Sequence, residues 1–129
     1  MELRKIVFRA KCKDNGEWVY GSYIQSYNEQ DWIVQGGDFF AVDSDTVSQF
    51  IGRFDKEGKE IYNGDIFYDV NTNVKYVVCF NNIKCAFCYA ALSSIDLLSR
   101  IMHNWWVGSN VNFKVIGNAY DNPELLYNN

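Results

Sequence analysis

The sequence predicts a mainly β protein: a small barrel or meander of short strands with one capping helix. Three observations lead there. Apolar and polar residues alternate with the period of a strand from the amino terminus onward. Turn-forming pairs, among them Asn15-Gly16, Gly36-Gly37 and Asn63-Gly64, break the chain at short intervals. Only one segment, beginning at Ser93 or Ser94, holds the three-and-four spacing of a helix with a single buried face.

In chain order, Ile6, Phe8, Ala10 and Cys12 fall on one face of a first strand and Lys5, Arg9, Lys11 and Lys13 on the other. Asp14-Asn15-Gly16 supplies the positive φ of a tight turn, so Glu17 to Gln25 is expected to pair back as a hairpin. A short strand near Trp32 to Val34, the Gly36-Gly37 break and an apolar stretch from Phe39 to Val42 follow. Asp43-Ser-Asp-Thr has the chemistry of a turn that seeds one helical turn. Val47 to Tyr62 reads as strand, loop, strand, its charged loop Asp55 to Glu60 closed by Gly58. Beyond Asn63-Gly64, strands are expected at Ile66 to Val70, Val74 to Phe80 and Ile83 to Leu92, the last two joined by Asn81-Asn82 as a two-residue hairpin. The helix then places Ile95, Leu98, Ile101, Met102 and Trp105 on its buried face. Gly108 ends that region, Phe113 to Tyr120 is a last strand, and Asp121-Asn-Pro-Glu is a final turn or short helix start.

Composition bounds the partners. The 129 residues include 22% charged and 48% hydrophobic side chains, with 4 Trp, 9 Tyr and 9 Phe, far too apolar for disorder. Twelve Lys and Arg against sixteen Asp and Glu leave a net charge of −4. That balance opposes unspecific adhesion to phosphate polymers or anionic membranes. No apolar run approaches a membrane span, and Arg4, Lys5, Arg9, Lys11 and Lys13 interrupt any leader, so a cytoplasmic protein with free thiols is expected.

The blocks Ile6-Val-Phe-Arg-Ala10, Asn15-Gly-Glu-Trp-Val-Tyr-Gly21, Thr46-Val-Ser-Gln-Phe-Ile-Gly52, Asp55-Lys-Glu-Gly-Lys-Glu-Ile-Tyr-Asn-Gly-Asp-Ile66 and Val115-Ile-Gly-Asn-Ala-Tyr-Asp-Asn-Pro-Glu-Leu-Leu126 resemble, in order and spacing, the YopX family of phage and prophage proteins. Tyr68 to Asn112 carries no family block. The resemblance implies a phage or prophage origin in a bacterial host. It also implies an N-terminal β region over 1–42 packed on an SH3-like β-barrel over 43–129, the whole one compact unit. It supplies no catalytic residue. Ser48 stands where the family usually has glycine, and Cys79, Cys85 and Cys88 lie outside its motif. Most of the motif reads as backbone geometry: Gly21, Gly52, Gly58 and Gly64 suit turns or close strand approach, and Asp65 suits a carboxylate that caps its own turn.

Candidate chemistry is sparse. Cys85-Ala-Phe-Cys88, with Cys79 and Cys12, is the one metal-like set, but a closed zinc site draws on two cysteine knuckles and this chain has one. No metal or other cofactor is expected, and buried free cysteine accounts for these residues. His103, the only histidine, falls at the expected helix's carboxyl end, where an imidazole suits the helix dipole better than a catalytic triad. Carboxylates are plentiful, among them Asp43, Asp45 and Asp65, but two near neighbours in sequence do not make an acid–base pair, which is defined by spacing in space. No phosphate-binding glycine loop occurs.

Two surfaces remain. Trp105 and Trp106 are adjacent large aromatics at a helix end, which one core does not easily absorb together, so they are candidates for an interface with a second copy or with a host or phage protein. Lys5, Arg9, Lys11 and Lys13 together with Trp18, Tyr20 and Tyr23 interleave cations with rings, as single-strand nucleic-acid binders do. The acidic balance of the chain weighs against the second reading. The expectation is a non-enzymatic binding or oligomerisation module, with nucleic-acid binding through the first hairpin as the alternative.

Overall fold

The structure is a computed structural model that describes residues 3–27, 30–92, 102–104 and 112–127. Eleven strands make up the described elements, with 3-10 turns at Ser44–Thr46 and Pro123–Leu126. The chain divides into two units, at Gly52 and Arg53.

In the first unit, β1 (Phe8–Lys11), β2 (Trp18–Ile24), β3 (Asp31–Gln35) and β4 (Asp38–Val42) form an antiparallel meander, and β5 (Ser48–Phe54) lies on the other side of β1. The expected turns set this register. Gly16 has φ +72°, and Gly36 and Gly37 have φ +59° and +88°, the two positive values that a two-residue hairpin between Gln35 and Asp38 requires. The meander curls until β4 meets β1. Cys12 bridges Val42, Lys13 N–H donates to Ala41 at 2.9 Å, and Asp43 N–H donates to Lys11 at 2.9 Å. Inside the curl lie Ala10, Cys12, Val19, Ile33 and Val42, with Phe8, Tyr23, Phe40 and Val47 against them.

Residues 43–52 lie in the first of these two units. The expected single turn forms at Ser44–Thr46, its amide of Asp45 held by Asp43 Oδ1 at 3.1 Å. Thr46 Oγ1 then accepts from Lys11 N–H at 2.8 Å, and β5 pairs with β1 through Phe8–Gln49 and Arg9–Ser48.

In the second unit, the end of β5 turns back into β6 (Glu60–Tyr62), and a five-stranded antiparallel sheet runs in the order β10-β9-β8-β7-β11. Its strands are β7 (Asp65–Asp69), β8 (Lys75–Asn81), β9 (Ala86–Ala91), β10 (Met102–Asn104) and β11 (Phe113–Asn118). The core gathers on Phe67, fully buried, whose ring centroid is 4.5 Å from Phe113, 5.3 Å from Tyr76 and 5.6 Å from Tyr89. Truncating a ring so enclosed costs about 3–5 kcal/mol.

Three expectations are corrected. No α-helix occurs among the described residues, so the capping helix is not found. Of its expected span, Met102 to Asn104 is strand β10, paired with Ala90, Tyr89 and Cys88 of β9, and the rest lies outside the described residues. The backbone groups of these residues, two of them the weak helix formers His103 and Asn104, are met by a neighbouring strand and not by a helical turn. Neither sheet closes into a barrel among the described residues: in the second unit β10 and β11 are opposite edges, each paired on one side, so the SH3-like barrel is not found. Finally, the β8–β9 connection has four residues, Asn82 to Cys85, instead of two. Asn81 Oδ1 accepts from Ile83 and Lys84 N–H at 3.0 and 3.2 Å, and Cys85 takes φ +53° to close the loop.

Candidate functional site

Strand alternation sorts the residues of the first unit into those inside the curl and those on its outer face. On β2 the outer positions are Trp18, Tyr20, Ser22 and Ile24. Their partners are Lys11 and Arg9 on β1 and Val34 and Trp32 on β3, and these in turn face Phe39 and Ala41 on β4. The far half of this face is apolar and open. Phe39 is 62% exposed and Ile24 42%, Val34 and Trp32 lie between them half-buried, and the Trp32 and Phe39 rings meet edge to face at 6.5 Å.

The near half holds most of the expected cation and ring set. The Arg9 guanidinium carbon sits 4.6 Å and Lys11 Nζ 5.4 Å from the Trp18 ring centroid. Tyr20 lies directly across from Arg9 and is 42% exposed. Arg9 is 5% exposed, so its charge is turned to the ring and away from water. Lys5 lies apart, over the Phe50 ring at 5.9 Å, and Lys13 is exposed beyond the strand end. Tyr23 is on the opposite side of β2 from Trp18 and Tyr20, a separation that its odd position in the alternation already encodes.

Inside, Tyr23 belongs to a polar clasp that sequence reasoning missed. Asp31, 5% exposed, accepts from Ser26 N–H at 2.9 Å, from Ser44 Oγ at 2.6 Å and from Tyr23 Oη at 2.8 Å. The Ser26 amide, then the Ser44 and Tyr23 hydroxyls, hold this carboxyl below the usual range. Burial, then the bond to Asp31, pushes the Tyr23 hydroxyl up to about 12. The clasp joins β2, the loop after it, β3 and the 3-10 turn.

Of the other acidic residues singled out in the sequence, Asp43 and Asp65 are also engaged with backbone. Asp43 caps the 3-10 turn, within which Asp45 lies, and Asp65 Oδ2 accepts from Tyr62 N–H at 2.8 Å, the turn-capping role expected of it. Asp55, missed as a site of interest, receives Glu57 and Lys59 N–H on Oδ1 at 2.8 and 2.9 Å and Val115 N–H on Oδ2 at 3.1 Å. The signal was present in Asp55-x-x-Gly58, the pattern of a carboxylate that bonds its own turn. Further along, Asn118 Oδ1 accepts from Tyr120 and Asp121 N–H at 3.0 and 2.8 Å. Asp55, Asp65 and Asn118 of the motif thus act on backbone geometry.

No three or more His, Cys, Asp or Glu side chains gather as a metal site among the described residues. Cys12 is in the core of the first unit. Cys85 is exposed in the β8–β9 turn, while Cys88 is buried on β9 opposite Cys79. His103 stands in strand β10, across from Tyr89, and not at a helix end. Trp105 and Trp106 lie outside the described residues. No helix of the described residues is long and apolar enough to cross a membrane.

Among solved structures, the chain is similar to protein EF1440 from Enterococcus faecalis, with 22% identity and a TM-score of 0.54 over 96% of this chain and 99% of that one. That likeness is one of fold. None of the proteins with curated descriptions matches the chain. The family model described as YopX protein matches residues 7–127, which includes every block on which the resemblance rests apart from Ile6, the first residue of the first block. With nearly its whole length matched, the chain belongs to the YopX protein family.

Proposed function

We propose that this chain is an accessory protein of phage or prophage origin that acts in the bacterial cytoplasm by binding another protein, a second copy of itself or a host or phage protein, without catalysis. One observation carries the reading. Ile24, Trp32, Val34 and Phe39 form a continuous apolar surface on the outer face of the first unit's sheet, with Phe39 and Ile24 open to solvent. Contiguous exposed apolar residues of this size, aromatic ones above all, are favoured anchors of protein interfaces. Asp55, Asp65 and Asn118 of the family blocks support the non-catalytic part, because each accepts backbone N–H groups of its own turn. The sequence candidates Trp105 and Trp106 enter as a second contact of the same kind. Nucleic acid is disfavoured: two of the cations that a phosphate chain needs are drawn onto the Trp18 ring.

The test compares the full chain with the double variant Ile24→Ser, Phe39→Ser, after circular dichroism shows both to be folded. Sedimentation velocity reads self-association, and capture from bacterial lysate, with and without nuclease, reads other partners. Self-association, or a nuclease-resistant protein partner, that the double variant loses supports the reading. A chain that is monomeric and captures no protein, or whose associations survive the double substitution, overturns it. Capture that disappears with nuclease transfers the role to Lys11, Trp18 and Tyr20.

A further inference from the structure

The four-residue turn at Asn82 to Cys85 sets β8 and β9 so that Cys79 stands directly opposite Cys88. Their Sγ atoms are 3.1 Å apart, and neither cysteine is in a disulfide. Leu92 N–H donates to the Lys75 carbonyl at 2.9 Å, which makes that facing pair a hydrogen-bonded one. Counting by twos along the ladder, Cys79 and Cys88 are hydrogen-bonded as well. The Cα separation of such a pair, about 5.5 Å, falls inside the range of about 4.4–6.8 Å that a disulfide spans. Closing the gap to the S–S bond length of about 2.05 Å needs roughly 1 Å of side-chain movement and no change of register.

We propose that Cys79 and Cys88 form a reversible dithiol–disulfide couple, an oxidation site for small hydroperoxides. Cys88 is fully buried and Cys79 is half-buried, so the oxidant reaches Cys79 first. The Cys79 sulfur attacks one oxygen of hydrogen peroxide and the O–O bond breaks. Cys79 becomes a sulfenic acid, and the departing hydroxide leaves as water with the Cys79 proton. The Cys88 sulfur then attacks Cys79 Sγ, the S–O bond breaks, and the hydroxyl leaves as a second water with the Cys88 proton. Each sulfur has lost one electron and the peroxide has gained two. The product ties β8 to β9 two residue pairs from the exposed turn that holds Ile83 and Cys85. In this couple the partner of Cys88 is Cys79, across the ladder, and not Cys85, which lies three residues earlier on the turn.

The test treats the reduced full chain with hydrogen peroxide, alkylates remaining thiols under denaturing conditions, and maps the peptides by mass spectrometry. The expected result is a fall from four alkylatable thiols to two, with a peptide linked through Cys79 and Cys88 and reversal by dithiothreitol. Cys85→Ser leaves the link intact. Cys88→Ser abolishes it and leaves a Cys79 sulfenic acid that dimedone traps; should that variant not fold, Cys79→Ser must abolish the link equally. A disulfide through Cys85, links between chains only, or free Cys79 and Cys88 after Cys85 is fully oxidised would each overturn the proposal.

Discussion

The carboxylate of Asp55 accepts the backbone N–H of Val115 at 3.1 Å, joining the β5–β6 turn to β11 across sixty residues of sequence. The same side chain holds the amides of Glu57 and Lys59 within its own turn. Asp55 is buried, so its removal strands three donors, and the cost of stranded donors exceeds the net worth of the bonds themselves.

Asp55→Ala is therefore expected to destabilise the second unit by about 2–4 kcal/mol. Asp55→Asn keeps an acceptor oxygen and is expected to lose less. Denaturant unfolding measures the difference, and amide exchange should quicken first at Val115 and Lys59. Equal stability of Asp55→Ala and the parent would show the contact to be incidental.

Gly21 and Gly16 are expected to respond differently to the same methyl group. A Cβ at Gly21 would fall on the carbonyl oxygen of Val34, where β2 and β3 approach closely, whereas a Cβ at Gly16 meets nothing within 4 Å. Gly16→Ala carries only the strain of positive φ, about 1 kcal/mol. Gly21→Ala must push a strand aside and should cost about 3 kcal/mol. Unfolding midpoints that rank the two variants in the opposite order would contradict the β2–β3 packing.

Period-two alternation placed Ala10 and Cys12 inside and Lys11 outside, and the Asn-Gly and Gly-Gly pairs fixed most turns, because both are local properties of the chain. What depends on distant neighbours was not legible. Arg9 lies on the polar side of β1, yet it is buried against Trp18 and flanked by β5. Met102 to Asn104 keeps helical spacing, but the open side of β9 decides its conformation. The Cys79–Cys88 pair was hidden for a related reason. A two-residue turn at Asn81-Asn82 would set Cys79 opposite Lys84, so two further turn residues, fixed by Asn81 and the backbone of Cys85, move the ladder to bring the thiols together. The apolar binding face was legible only in part, since Trp32 and Phe39 stand in separate strands and their contact depends on the Gly36-Gly37 register.

The Tyr23–Asp31 bond makes stability sensitive to pH at both extremes. The Asp31 carboxyl is held below its ordinary value of 3.8, so its contribution is present above that pH and is lost as pH falls through the lowered value. The Tyr23 hydroxyl is raised from 10.0 to about 12, so its contribution is complete below pH 10 and disappears as pH rises toward 12. Tyr23→Phe is expected to cost about 1 kcal/mol near neutrality and to flatten the alkaline limb. The acid limb should persist, because the Ser26 and Ser44 bonds to Asp31 remain. Urea midpoints across the pH range check both limbs; an unchanged alkaline limb in Tyr23→Phe would assign it to another group.

Arg9 and Trp18 should be energetically coupled through the ring face and not through charge pairing alone. The guanidinium is 4.6 Å from the ring centroid and almost wholly shielded from water, where a cation–π contact is worth more than the about 0.5–1 kcal/mol of an exposed one. In a double-mutant cycle of Arg9→Met and Trp18→Leu, the coupling is expected at about 1–2 kcal/mol, and the cycle subtracts whatever else each residue contacts. Salt screens exposed charges far more than buried ones, so the coupling should change little as ionic strength rises. A coupling that vanishes in high salt would mean that Arg9 is solvated and free to meet phosphate, which would restore the nucleic-acid reading of this hairpin. Persistence in salt keeps Arg9 as part of the fold and leaves the apolar half of the face, from Ile24 to Phe39, as the surface available to a partner.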